Sequence, residues 1–149
     1  MSLPAVAILI SGTGSNMVAL VRAMQAGEVP ARPALVLSNR SGLETILTNL
    51  LDNAIKYTHP GGHVTIDVYA QISHVGVRIT DTGIGIPAEA LEHVGEEFFR
   101  APNARSANLP GSGLGLSIVN QLLERLAGRL DIQSELDRGT TVNVRLPAA

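Results

Sequence analysis

The sequence predicts an α/β fold, a mixed sheet with helices mainly on one face. Three observations lead there. The chain opens as strand, glycine-rich turn, helix, strand; later stretches carry apolar residues at helical spacing; and two pairs of segments alternate apolar with polar residues, as half-buried hairpins do. At 149 residues, of which 45% are hydrophobic and 16% charged, the chain suits one globular unit and excludes disorder or a collagen-like structure. A net charge of −2 argues against nucleic acid as a partner. With no Cys, disulfides, thiolate metal sites and cysteine nucleophiles drop out.

Ala5 to Ile10 is a continuous apolar run, read as a strand covered on both faces. No basic region precedes it, and Gly12, Gly14 and Asn16 follow, so it fails as a signal peptide or membrane span. The protein is therefore expected to be soluble and cytoplasmic. Ser11 to Ser15 form a turn, Met17, Leu20, Val21 and Met24 a helix stopped at Gly27, and Ala34 to Leu37 a second short strand. If the two strands share a sheet and run parallel, a right-handed crossover is expected.

Ser41 and Glu44 have the spacing of a capping box and open a strongly periodic helix. Its core stripe is expected to comprise Leu43, Ile46, Leu47, Leu50, Leu51, Ala54 and Ile55. Asn49, Asn53 and Lys56 fall on a different stripe, so two carboxamides and an ammonium project together.

His59-Pro60-Gly61-Gly62 ends that helix. Val64 to Ala70 and Val75 to Thr80 read as an antiparallel hairpin with one solvated face. Asp81-Thr82-Gly83-Ile84-Gly85-Ile86-Pro87 follows, and a modest helix is expected from Ala88 to Gly95. Arg100 to Gly113 has no periodicity and reads as a mobile loop. Leu114, Ile118, Leu122 and Leu126 mark another helix, ended by Gly128. A closing hairpin, Leu130 to Ser134 and Thr141 to Leu146, turns at Asp137-Arg138-Gly139.

Four boxes in residues 41–149 carry a resemblance: Asn49 to Tyr57, Asp81 to Pro87, Phe98-Phe99-Arg100, and Gly111-Ser112-Gly113-Leu114-Gly115-Leu116-Ser117-Ile118-Val119. In this order and spacing the segment resembles the ATP-binding catalytic domain of sensor histidine kinases, which shares its nucleotide fold with gyrase-type ATPases and the Hsp90 chaperone. The resemblance implies a two-layer sandwich that binds ATP with Mg²⁺. It assigns the metal to Asn53, whose carboxamide is a hard oxygen ligand of the kind Mg²⁺ takes. Asn49 and Lys56 support the phosphates, and Tyr57 either lines the pocket or simply packs. Asp81 accepts from the adenine amino group, with Gly83 and Gly85 letting backbone approach the base. Gly111, Gly113 and Gly115, with Leu114 and Leu116 beside them, lead into a helix whose exposed N–H groups suit phosphate. Arg100 to Pro110 is the expected lid, Arg100 and Arg105 are candidate phosphate contacts, and Phe98 and Phe99 are its hydrophobic anchors. Where many relatives carry an aromatic three residues before that pair, this chain has Gly95.

Residues 4–40 resemble something else. Val6 to Asn16, with Val36 to Arg40, are similar to the first βαβ unit of glycinamide ribonucleotide formyltransferase, in which the glycine-rich turn binds substrate phosphate. Gly12, Thr13, Gly14, Ser15 and Asn16 are the corresponding positions. That family's catalytic Asn, His and Asp have no counterpart in residues 41–149, so formyl transfer is not expected. Nor is the turn a dinucleotide fingerprint, since Met17 stands where a third glycine belongs. Charge changes where the two resemblances meet: residues 1–40 carry three Arg against one acid, while 41–149 carry eight basic and twelve acidic residues. The expected organisation is a chimera: a Rossmann-like βαβ segment over residues 1–40, not an independent domain, that extends or edges the sheet of the ATP-binding domain over 41–149.

The leading expectation is Mg·ATP binding by a kinase catalytic module without its helical dimerisation domain. His59, His63, His74 and His93 do not sit on a long helix with an acidic neighbour, as a phosphoacceptor requires, so little or no self-phosphorylation is expected. Phosphate binding at Gly12 to Ser15, and a folded scaffold with no activity, are the alternatives. Unpaired sheet edges would favour a dimer.

Overall fold

The computed structural model describes residues 5–9, 26–28, 32–37, 42–71 and 73–147. The Gly12–Asn16 turn, Ser41 and the helix expected over 17–24 lie outside the described residues. Strands β1 (Ala5–Leu9) and β2 (Arg32–Leu37) pair in parallel, with an irregularity in register between Val6 and Ala7. Four further strands, β3 (Val64–Ala70), β4 (His74–Asp81), β5 (Arg129–Glu135) and β6 (Gly139–Pro147), form a separate sheet in the order β3-β4-β6-β5.

The expected mixed sheet is corrected here. Every neighbour in the four-stranded sheet is antiparallel, and among the described strands β1 and β2 pair only with each other. For two of the three pairings the connections give the physical reason: β3 to β4 and β5 to β6 are joined by three-residue links, which permit only an antiparallel return. Among the described residues no strand hydrogen-bonds to the outward edge of β3, although β2 lies near it.

Helix α1 (Leu43–Tyr57) and helix α3 (Gly115–Arg125) pack together on one face of the sheet. Between β4 and α3 lie a 3₁₀ turn (Ala88–His93) and the five-residue helix α2 (Pro102–Ser106). The core joins Ile46 and Leu50 of α1, Val77 and Ile79 of β4, Val119 and Leu123 of α3, and Val144 of β6. Ile46 and Val119 are wholly buried, and truncating Ile46 to Ala costs about 2–5 kcal/mol through lost burial and the cavity left behind.

Several local expectations shift. The N-cap of α1 is Gly42, with φ 116° and no side-chain cap; Leu122 of α3 would stand 3.1 Å from a Cβ there, so close helix packing takes the place of the expected capping box. Ile55, placed in the core stripe, is 64% exposed. Twelve residues at about 100° each rotate it roughly 120° from Leu43, beyond the buried face. Likewise Ile118 is exposed, whereas Val119 and Leu123 are buried, because a stripe stepped only by four winds about 40° around the helix at each step. The segment after Phe99, expected to lack structure, contains α2, which starts at Pro102 with φ already set for a first helical turn. Ala88 to His93 is a 3₁₀ rather than an α-helix.

Candidate functional site

Between α1, the end of β4 and the start of α3 lies a cavity of about 440 Å³. From α1 it receives Asn49, Asn53, Lys56 and Tyr57. Their spacing turns them away from the sheet, while Leu50 and Ala54 between them hold the helix in the core. The Asn49 amide donates to the Thr45 carbonyl at 2.9 Å, which fixes its side chain and leaves Oδ1 facing the start of α3, 3.4 Å from where a Cβ on Gly115 would stand. Lys56 Nζ lies 4.4 Å from the Tyr57 ring centroid and beside Gly111, so the ammonium is held between the aromatic face and the glycine loop.

Asp81 ends β4 and is nearly buried, at 7% exposure. Its Oδ1 accepts two backbone N–H bonds, from Gly83 at 2.9 Å and from Thr140 at 3.2 Å. Both fall on one oxygen, which leaves Oδ2 for another donor. Burial raises the carboxyl above the usual aspartate range, against the lowering effect of those two bonds. The walls around it are apolar, with Ile79, Ile86, Leu116 and Val142. A flat, largely apolar ring with one exocyclic donor suits such a wall.

The glycines after Asp81 answer first to the protein's own packing. A Cβ on Gly83 would stand 2.2 Å from the Tyr57 carbonyl, and one on Gly85, at φ 65°, 2.0 Å from the Glu135 carbonyl. The chain passes between α1 and the β5–β6 turn only because neither carries a side chain. Gly85 lines the cavity; Gly83 does not, and supports it through Asp81.

The other side is closed by residues 98–113. Phe98 is 66% exposed at φ 64°, so it is not the buried anchor expected; its N–H is held by the Gly113 carbonyl. Phe99 takes that role, half-buried against the cavity with its ring centroid 5.5 Å from that of His93. Arg100 lines the cavity and donates to the Leu109 carbonyl, closing the loop on itself, while Arg105 is exposed and away from the lining. Gly111, Gly113, Gly115 and Leu116 line the cavity; Leu114 is the N-cap of α3 and does not. At Gly95 a Cβ would meet the Asn120 amide at 2.6 Å, so the aromatic of many relatives would displace that side chain.

Four polar lining residues were given no role by sequence reasoning: Asp52, Asn103, Ser112 and Thr140. Thr140 carries no motif. Its place comes from register, directly opposite Asp81 in the β4–β6 ladder.

Residues 38–149 match the family described as histidine kinase-, DNA gyrase B-, and HSP90-like ATPase. The chain belongs to this family. Within it, the mycobacterial sensor histidine kinase MprB is 41% identical with a TM-score of 0.65, covering 72% of both chains. ShkA, solved full-length in complex with AMPPNP, is 30% identical with a TM-score of 0.59, over 72% of this chain and 22% of that one. The sensor protein SrrB of Staphylococcus aureus is 40% identical over 105 residues, which is 70% of this chain and 18% of its own length. Residues 38–149 are thus an ATP-binding histidine-kinase catalytic domain, and the chain spans a minor part of such curated relatives.

This kinase-type ATPase domain has no helix long and apolar enough to cross a membrane among the described residues. Nor do the described residues hold a cluster of three or more His, Cys, Asp or Glu. The oxygens on the α1 wall, from Asn49, Asp52 and Asn53, are few and hard. Such a set fits Mg²⁺, which keeps its waters and takes its other ligands from a phosphate chain, and does not fit a soft or fully caged metal.

Proposed function

We propose that this domain binds Mg·ATP with adenine at Asp81 and the phosphates between α1 and the glycine loop. Asp81 Oδ2 accepts from the exocyclic amine of adenine, a position where guanine presents a carbonyl oxygen instead. Asn53 holds Mg²⁺ through its carboxamide oxygen, with Asn49 beside it; bound there, the ion neutralises phosphate charge. Lys56 pairs with phosphate oxygens, and Gly111, Gly113 and Gly115 let them approach the N–H groups at the start of α3. Tyr57 and Arg100 close the sides. The observation that carries this reading is that Asp81 and Asn53 line one cavity.

In this proposal the module positions the γ-phosphate and acts through charge and orientation, as phosphoryl-transfer sites do. The accepting His comes from a helical dimerisation domain in trans, since His59, His63, His74 and His93 occupy turns, a strand start and the end of the 3₁₀ turn. The site works in the cytoplasm, where Mg·ATP is available. In this reading residues 1–40 are a formyltransferase-like segment of separate origin, on the resemblance of Val6 to Asn16 and of Val36 to Arg40 alone. The outward edge of β3, which no described strand pairs, joins a second copy of the chain, and sedimentation at rising concentration tests this.

Titration calorimetry with Mg·ATP, Mg·GTP and glycinamide ribonucleotide decides the main reading. Heat with ATP alone, lost in Asp81→Asn, is expected. Equal heat with GTP overturns the role of Asp81; heat only with the ribonucleotide moves the site to Gly12–Asn16; no heat leaves a scaffold.

A further inference from the structure

We propose that Asn103 is a positioning residue of the cavity, a latch that ties helix α2 to the loop following Asp81. The proposal rests on the nucleotide reading above for its consequence and on the protein alone for its geometry. Asn103 Nδ2 donates to the Gly85 carbonyl at 2.9 Å, across eighteen residues of chain. Among the described residues it is the one side-chain hydrogen bond that leaves the segment 100–110; the Arg100 bond to Leu109 stays within it.

The two ends of the latch differ in rigidity. Gly85 cannot yield, because it is wedged against the Glu135 carbonyl and the neighbouring Ile84 carbonyl accepts from the Asp137 N–H at 2.8 Å. Helix α2 can. It has five residues and no side-chain cap, too short to persist by its own hydrogen bonds, and it is held down by Ala101 and Ala104. Small side chains bury little apolar surface, so the amide bond is a large share of what fixes α2.

Among the described residues Asn103 Oδ1 and Arg100 Nε have no protein partner, and both residues line the cavity. A short helix fastened largely by one side-chain bond opens locally, and a ligand that touches both Gly85 and Asn103 tips it shut. The bound nucleotide is retained because its exit requires the Asn103–Gly85 bond to break.

The test compares the full chain with Asn103→Ala and Asn103→Asp. Ala favours helix more than Asn, so local helicity alone would slow opening in the first variant; Asp is isosteric and lacks the donor. Without nucleotide, tryptic cleavage after Arg105 is expected to run several-fold faster in both, with the melting temperature unchanged, since cleavage follows the open population. With a fluorescent ATP analogue, dissociation is expected to rise about five-fold while association holds, the effect of losing one ordinary net hydrogen bond. Unchanged or slower cleavage overturns the latch. Faster cleavage with unchanged dissociation overturns the positioning role. A wild-type chain that takes no nucleotide defeats the nucleotide reading instead, and the cleavage rates still decide whether Asn103 fastens α2.

Discussion

Thr140 donates its backbone N–H to Asp81 Oδ1 from the strand position directly opposite, at 3.2 Å. Gly83 donates to the same oxygen. The carboxylate is therefore oriented by the sheet and by its own loop together, with one oxygen occupied and the other presented to the cavity. An acceptor fixed in this way loses little freedom when a ligand arrives.

Replacing Asp81 with Asn keeps an acceptor for both N–H groups but turns a donor toward the ligand. ATP affinity is expected to fall about 10- to 100-fold, the range for a hydrogen bond to a charged group. Stability should move the other way. Burial raises the Asp81 pKa, so its stabilising contribution is complete below the unfolded value of 3.8 and is lost as pH rises through the folded value. At pH 7 the variant should therefore melt no lower than the wild type, and the gap should close on acidification. Calorimetry and thermal melts across pH 4–7 check both parts.

The glycines should separate into two kinds. Gly85→Ala sets a Cβ 2.0 Å from a fixed carbonyl at positive φ and is expected to cost more than about 2 kcal/mol of stability. Gly115→Ala meets only ordinary contacts at 3.4 Å and beyond, so its urea midpoint should hold while nucleotide affinity drops. Equal loss of stability in both variants would contradict the packing described here.

Asn53→Ala should abolish the part of ATP affinity that depends on Mg²⁺. Binding in EDTA is expected to match the wild type, and added Mg²⁺ to tighten the wild type alone. Measured in paired titrations, a variant that still gains from Mg²⁺ would move the metal to Asp52 or to the phosphates unaided.

His93 accounts for a smaller effect at higher pH. Its Nδ1 lies 2.7 Å from Glu96 Oε1, and that hydrogen bond, aided by the charges of Glu96 and Glu92, raises its pKa against slight desolvation. A raised folded pKa means the contribution is complete below 6.5 and is lost as pH rises through the folded value. The pair is exposed and the effect small. His93→Gln should flatten the pH dependence of the melting temperature above pH 6.5, as calorimetry checks.

Much of this molecule is written locally. The helix from Leu43 to Tyr57, the two hairpins and the four boxes are legible because a helical or alternating period and a glycine at a turn act over neighbouring residues. The family follows from those boxes. Where a residue's fate depends on what packs against it, local pattern misleads: Ile55 and Phe98 are apolar and exposed, and Gly42 displaces the expected side-chain cap because Leu122 crowds it. The antiparallel sheet in place of a mixed one, the short helix at Pro102, the bond from Asn103 to Gly85 and the seating of Asp81 beneath Thr140 were decided by the tertiary structure alone. Each joins residues far apart in the chain, and contact between distant residues follows from how the elements pack, which no short window of sequence encodes.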